Sequence, residues 1–358
     1  MEIKKLNPEN YKEWDKFCLE SDDAWFWNTS GWLEYTLNYK PEFKPESKSF
    51  IVINNQNIVA ICPLILETYN NVKEFSYGGG FGPTPAFANN MAKKFKKKVT
   101  KLVFKEIERL ANENNVKRTR LKFSILNKSF IETKQQKFNY LMKFGYLDNS
   151  INTLIIDLDK PLEDLRLNVR HGHDSDIDRA SIFLKAEIFD KSNLTKKIFE
   201  EYVQLHHKAA GRVTRPKITF DLMYEWIKEG KGFLIGAKKE GKYVGFSYFN
   251  LFKNNVYYSS SCNDPDETLP VAHFIQWAAI KWMNEKKYRF YEVGWQVYKN
   301  SLTDFYSKKE VDIGRFKRGF GGFTVPLFMG EKYYDKEYFL KIYKDRIKHF
   351  ADIVWENK

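Results

Sequence analysis

The residues best placed by type and spacing to do chemistry are Ile313-Gly314-Arg315-Phe316-Lys317-Arg318-Gly319-Phe320-Gly321-Gly322, downstream of the strand-like Tyr291-Glu292-Val293-Gly294-Trp295. The run reads as a rigid glycine-rich turn that presents one lysine, Lys317, between aromatic side chains at the mouth of a sheet. A cation held there stabilises a developing oxyanion or grips a phosphate, because charge in a dry, preorganised site acts far more strongly than in water. The competing reading is a solvated loop, since lysines beside glycines are common on surfaces.

Two arginines form the second candidate group. Arg212 and Arg215 lie in Gly211-Arg212-Val213-Thr214-Arg215-Pro216, just after a helix predicted over 196–209. Their guanidinium forks suit a phosphate, and a solvated helix C-terminus accounts for them equally well. Tyr257 and Tyr258 are adjacent on a predicted strand, so their side chains alternate and one faces a site where it can orient an acceptor amine. Tyr224 is a candidate of the same kind, although most such tyrosines are packing residues with a wet hydroxyl.

Other chemistry-bearing residues point less sharply. His171-Gly172-His173-Asp174 lacks the distant ligands that zinc needs and reads as a basic loop, so no metal is expected. His206 and His207 are neighbours on a helix and cannot both face one ligand. The glycines between Gly78 and Gly82 are not followed by Lys-Ser or Lys-Thr and are no P-loop. Lys93, Lys94, Lys96, Lys97, Lys98 and Lys101 line the outer face of a predicted helix, where they read as a solvated face or as a surface for tRNA or anionic lipid. No Ser-His-Asp or Cys-His signature marks a covalent intermediate.

These residues need a scaffold, and the pattern supplies one twice. Segment 49–67 reads as strand, turn and strand, 73–78 as a third strand, 90–114 as an amphipathic helix and 116–124 as a returning strand. The same order recurs as strands at 232–238, 243–252 and 255–261, a helix at 270–286 and a strand at 288–293. An α+β fold follows, with two mixed sheets flanked by helices and a cleft between the halves, where ligands favour binding. The boundary is expected at Asp157-Leu158-Asp159-Lys160-Pro161, giving domains 1–158 and 159–326 and a helical tail 327–358 that packs back.

Composition agrees with two globular domains. The chain has 358 residues, of which 43% are apolar and 17% aromatic, enough for sizeable cores. Its net charge of +13 favours anionic partners such as nucleotide phosphates, tRNA or the inner face of a membrane. The start Met1-Glu2-Ile3-Lys4-Lys5 has no apolar export signal, no run of about 18 apolar residues occurs, and a cytoplasmic location is expected. Three cysteines without ligand spacing speak against a disulfide framework.

Three segments together resemble the Fem family of aminoacyl transferases in the GNAT superfamily. They are Trp25-Phe26-Trp27-Asn28-Thr29-Ser30-Gly31-Trp32-Leu33, the glycine-rich Tyr77-Gly78-Gly79-Gly80-Phe81-Gly82-Pro83, and the acidic strand Tyr291-Glu292-Val293-Gly294 with Phe316-Lys317-Arg318-Gly319-Phe320-Gly321-Gly322. The resemblance implies two GNAT-like domains and transfer of an aminoacyl group from aminoacyl-tRNA to an amine of a nucleotide- or lipid-diphosphate-linked cell-envelope precursor of the peptidoglycan type. It places the family's catalytic lysine on Lys317, with Phe316 beside it, and an arginine for the precursor's diphosphate near Arg212 and Arg215. Glu292 stands where aspartate is common. A family lysine on the N-terminal helix falls at Thr36, leaving Lys40 as the nearby cation. The runner-up reading is an N-acyltransferase that uses acetyl-CoA or another acyl-CoA on an amino sugar or surface polysaccharide. The acidic Asn263-Asp264-Pro265-Asp266-Glu267-Thr268-Leu269-Pro270, standing where GNAT enzymes bind pyrophosphate, argues against it. A non-catalytic RNA-binding or membrane-surface protein is the third reading.

Overall fold

The computed structural model describes residues 1–133, 137–298, 302 and 307–355. The chain divides into two compact units. The first comprises Met1–Ile151, Val297–Val311 and Pro326–Lys358, and the second Asn152–Gln296 and Asp312–Val325.

In the first unit the strands Phe50–Asn54 and Asn57–Cys62 form a hairpin in a four-stranded sheet with Glu2–Lys5 and Ala86–Phe87. The segment predicted as one meander is split at Pro63. After it, Ile65–Tyr69 and Val72–Phe75 pair in a second sheet through Asn70 and Asn71, both at positive φ (49° and 61°). An Asn-Asn pair tolerates that left-handed backbone and makes a tight hairpin, a signal the sequence reading passes over. The helix Lys93–Glu113 buries Val99, Val103, Phe104, Ile107 and Ala111 at helical spacing against this core. Its six N-terminal lysines are exposed.

The tail begins as a strand, not a helix. Met329–Tyr333 inserts between Leu147–Asp148 and Arg118–Lys122, antiparallel to both. On it, the fully buried Glu331 carboxylate accepts from Arg118 Nη1 at 3.0 Å and from Arg346 Nη1 at 2.8 Å, with Arg120 Nε at 3.2 Å. Arg346 belongs to the helix Lys336–Trp355, so one ionic cluster ties the chain's end into the first unit. Among the described residues no helix is long and apolar enough to cross a membrane.

The second unit is built on a seven-stranded sheet in the order Lys185–Phe189, Gly232–Lys239, Lys242–Phe252, Asn255–Asn263, Phe290–Gln296, Ile151–Asp157, Phe323–Leu327. Ile151–Asp157, which a boundary at 158 assigns to the first half, pairs antiparallel with Phe290–Gln296 here. Alternation along the second long strand sorts its two faces. Phe249 joins the core formed with the helix Val271–Glu285, whereas the Tyr248 hydroxyl donates to the Met223 carbonyl of the helix Lys217–Lys228 on the opposite face (2.9 Å).

Both units contain the same crossover, in which an antiparallel pair of strands precedes a long helix and the chain returns as a strand parallel to the second of that pair. In the first unit Glu74 lies beside Arg118, and in the second Tyr257 lies beside Glu292. The duplication read from the pattern is therefore a duplication of topology.

Candidate active site

The second unit's parallel pair is short. Asn255–Tyr257 lie in register with Phe290–Glu292, and beyond them both strands continue without pairing to each other. Two irregularities accompany the parting. Ser259 is the extra residue where Tyr248 and Phe249 face Ser260 and Tyr258, and Val293 is the extra residue where Leu154 and Ile155 face Gly294 and Glu292. Bulges bend and twist a strand, so the two strands fork. A cavity of about 330 Å³ lies there, lined by Tyr257 to Ser261, by Ala272 and by Ile313, Phe316 and Lys317.

Lys317 reaches the fork from a helix, which corrects the glycine-rich turn expected from the sequence. Lys308–Arg318 is helical and only the residues from Gly319 onward turn. A single glycine inside a helix costs about 1 kcal/mol, and Gly314 is buried within this one. Arg318 Nη1 donates to Gln296 Oε1 at 3.0 Å, which ties the helix end to the acidic strand.

The acidic strand makes room for the ammonium at Gly294. Its φ of +116° disfavours any side chain, and a Cβ built there would stand 2.6 Å from Lys317 Nζ. Lys317 Nζ also lies 5.8 Å from the centre of the Tyr258 ring. Burial pulls the lysine's pKa down to about 8, and the negative field of Glu292 opposes that shift without cancelling it. The group is thus mostly an ammonium at neutral pH, and a poorly solvated one.

Glu292 is buried on the sheet face that it shares with Tyr257, and it accepts from Thr153 Oγ1 at 2.7 Å. Burial, then the Glu292 charge, drives the Tyr257 phenol above its usual range. Tyr258 points to the other face, where its hydroxyl donates to Ser261 Oγ at 2.7 Å, and burial raises its pKa as well. Both hydroxyls stay protonated at neutral pH. Lys317, Phe316, Tyr257 and Tyr258 thus share one cavity, with Glu292 beside Tyr257.

The other sequence candidates separate. Arg215 is close: its Nη2 lies 3.2 Å from His206 Nε2 and 3.5 Å from Ser260 Oγ, a cavity residue, and its guanidinium covers the Phe220 ring at 4.9 Å. Burial, then Arg215 and His207, lowers the His206 pKa to about 4, so the imidazole stays neutral. Arg212 is exposed and does not line the cavity. Tyr224 packs edge-on against Phe199 (5.5 Å), also outside the cavity lining. Lys40 lies in the first unit, where Nζ donates to the Gly78 carbonyl at 2.8 Å and sits 4.9 Å from the Phe43 ring.

Three contacts at the sites are not legible in the sequence, although two of the residues, His206 and Glu267, are noted there. His206, set aside as one of an unproductive pair, holds Arg215. Glu267 closes the turn just before the helix Val271–Glu285: its Oε1 accepts from the backbone N–H of Thr268 (2.8 Å) and Leu269 (2.9 Å), and its Oε2 pairs with Lys239 at 3.0 Å. Glu67 does the same in the first unit, accepting from the N–H of Gly78 (2.6 Å) and Gly79 (2.8 Å). Each carboxylate occupies backbone donors that suit a phosphate. The predictive signal for Glu267 is an acidic residue one to two positions before those donors.

No protein-family model and no curated protein matches the chain. By structure it is similar to FemX, with a TM-score of 0.64 at 13% identity, covering 96% of this chain and 100% of that one. It is similar to L-PGS from Bacillus licheniformis, with a TM-score of 0.59 at 12% identity over 96% and 97% of the two chains. It is also similar to a tandem GNAT protein from the clavulanic acid biosynthesis pathway, with a TM-score of 0.51 at 11% identity over 93% and 98%. The chain has the tandem GNAT fold, an α+β architecture whose two mixed sheets, with the four-stranded antiparallel sheet of the first unit, are flanked by helices.

Proposed function

We propose that this protein is an acyltransferase, and specifically an aminoacyltransferase that moves an aminoacyl group from aminoacyl-tRNA to an amine of a diphosphate-linked cell-envelope precursor. The observation that carries this reading is the poorly solvated Lys317 ammonium at the fork of the parting strands. The neutral acceptor amine attacks the ester carbonyl carbon, and the oxyanion that forms is held by Lys317. The ester C–O bond then breaks, the tRNA hydroxyl leaves with a proton, and the new amide remains on the acceptor. One preorganised donor at such an oxyanion lowers the barrier by roughly 3–4 kcal/mol.

The residues around Lys317 take supporting roles in this scheme. Phe316 and Tyr258 shield the ammonium, Tyr257 and Glu292 orient the acceptor amine, and Arg215 meets the anionic part of a substrate at Ser260. The motif resemblance to the Fem family and the likeness to FemX, to L-PGS and to the C-terminal domain of a putative lysylphosphatidylglycerol synthetase from Agrobacterium fabrum support aminoacyl transfer in envelope synthesis. Glu267 supports the choice of donor, because its carboxylate occupies the Thr268 and Leu269 N–H groups just before the helix Val271–Glu285 and repels a pyrophosphate placed there.

The test is donor consumption. The chain is incubated with a mixture of radiolabelled aminoacyl-tRNAs, or with labelled acetyl-CoA, and nucleotide-linked precursors bearing a free amine. Label is expected to pass from tRNA to the precursor with wild type and not with Lys317→Ala. Transfer from acetyl-CoA alone would establish the acyl-CoA reading instead.

A further inference from the structure

The motif His171-Gly172-His173-Asp174 is not a loop. It opens the helix His171–Ser181, and His173 is buried in it against the end of the helix that carries Lys317. His173 Nε2 lies 2.8 Å from the Phe316 carbonyl oxygen, and Arg170 Nη2 lies 3.0 Å from His173 Nδ1. A guanidinium only donates and a carbonyl only accepts, which assigns the tautomer: Nδ1 accepts from Arg170, and Nε2–H donates to Phe316.

The carbonyl chosen matters. Phe316 is in the last turn of Lys308–Arg318, where carbonyls lack partners within the helix. Its oxygen receives one bond from the Gly319 N–H (3.0 Å), and His173 adds the second. That carbonyl belongs to the peptide unit leading into Lys317, so holding it fixes the rotation of the peptide plane and with it the direction in which the Lys317 side chain leaves the backbone. Gly319 is required by the same packing, since a Cβ there would stand 2.1 Å from His173 Nε2. The Arg170 N–H donates to the Gly319 carbonyl at 2.8 Å, closing the connection through backbone as well.

Rings complete the enclosure. His273, from the helix Val271–Glu285, meets His173 edge to face at 4.3 Å and Phe316 at 4.9 Å, and Phe320 lies 5.0 Å from His173. The charged groups facing the two imidazoles are Arg170, Asp176 and Arg179, with Asp176 Oδ2 3.7 Å from His273 Nε2. Burial lowers both histidines' pKa, that of His273 to about 4. Both rings are neutral at neutral pH, as the assigned tautomer requires.

We infer that His173 is a positioning residue for Lys317, acting through the Phe316 carbonyl to hold the ammonium against Gly294 in the fork. The inference rests on Lys317 as the reacting cation, and its test does not need turnover. In the full-length protein, the reactivity of Lys317 toward an amine-directed reagent is followed by peptide mass spectrometry across pH. Wild type is expected to titrate near 8. His173→Gln, whose amide N–H reaches the same carbonyl, should keep that value. His173→Asn, too short to reach, and His173→Leu should both move Lys317 toward its ordinary 10.5 as the side chain finds solvent. Once a donor is in hand, kcat should fall about 10-fold in the Asn and Leu variants with KM unchanged, as expected for loss of an interaction made only in the transition state.

An unaltered Lys317 titration in the Asn variant, or the same rise in Gln as in Asn, would overturn the inference and leave His173 as packing. If the leucine variant does not fold, the Asn and Gln pair decides. A wild type that titrates near 8 yet transfers nothing would refute the proposed function without touching the positioning result.

Discussion

Lys317 Nζ lies 2.6 Å from the point where a side chain at Gly294 would begin. A strand residue and a helix residue 23 positions later are thereby matched: one has no Cβ, and the other places its charge in the space left. Gly294→Ala is expected to eject the ammonium and to reduce turnover nearly as far as Lys317→Ala does, with the double variant no worse than either single one. Additive losses in this cycle would show that the two residues act independently.

Lys317→Met should separate activity from stability. Turnover should fall roughly 100- to 1,000-fold, the usual loss when one oxyanion donor is removed. The folded state should nevertheless gain stability, since the wild type bears the cost of desolvating a cation. A shift from 10.5 to about 8 corresponds to ~3 kcal/mol at face value, and partial exposure of the side chain reduces the expected gain to ~1–2 kcal/mol. Denaturant melts at neutral pH check this, and a destabilised methionine variant would contradict it.

The sign of the pH dependence follows from the same shift. The oxyanion is held by the ammonium, so kcat/KM should decline as pH rises through about 8, and Lys317→Met should lose that limb of the profile. For stability the unfolded chain keeps the proton more tightly than the folded one. The cost is present in full below about 8 and disappears as pH approaches 10.5. The stabilising effect of methionine should therefore be largest at neutral pH and fade in alkali.

Glu267 predicts donor discrimination. Wild type is expected to show no saturable binding of desulfo-coenzyme A in calorimetry. Glu267→Gly, which frees the N–H groups of Thr268 and Leu269, should gain measurable affinity. Tight binding by wild type would remove the argument against an acyl-CoA donor.

Glu331 should matter for folding only. Replacing it with leucine removes the counter-charge that Arg118, Arg120 and Arg346 share, although Arg118 keeps Glu74, and breaking such a buried cluster costs about 3–5 kcal/mol. The melting temperature should drop by several degrees, with turnover per folded molecule unchanged.

The sequence made the repeated units legible because their cause is local. Short apolar runs over 232–239 and 242–252, apolar residues at helical spacing over 93–113, and the Glu240-Gly241 turn each depend on neighbours a few positions apart. The same holds for picking out Lys317, which stands beside Phe316 and the glycines of a recognisable signature. Local pattern misassigned its helix, because Gly314, Gly319, Gly321 and Gly322 suggest a turn while only the last three stand at or beyond the helix end.

Lys317 as a candidate, the α+β class and the duplication were thus determined by residue order alone. Tertiary structure decided the rest. The fork depends on extra residues at Ser259 and Val293, which appear only once four strands are in register. The contact of His173 with Phe316 spans 143 residues, and that of Arg118 with Glu331 spans 213. Periodicity carries no information at such separations, because a partner that far along the chain is selected by packing, and packing exists only after the sheets have formed.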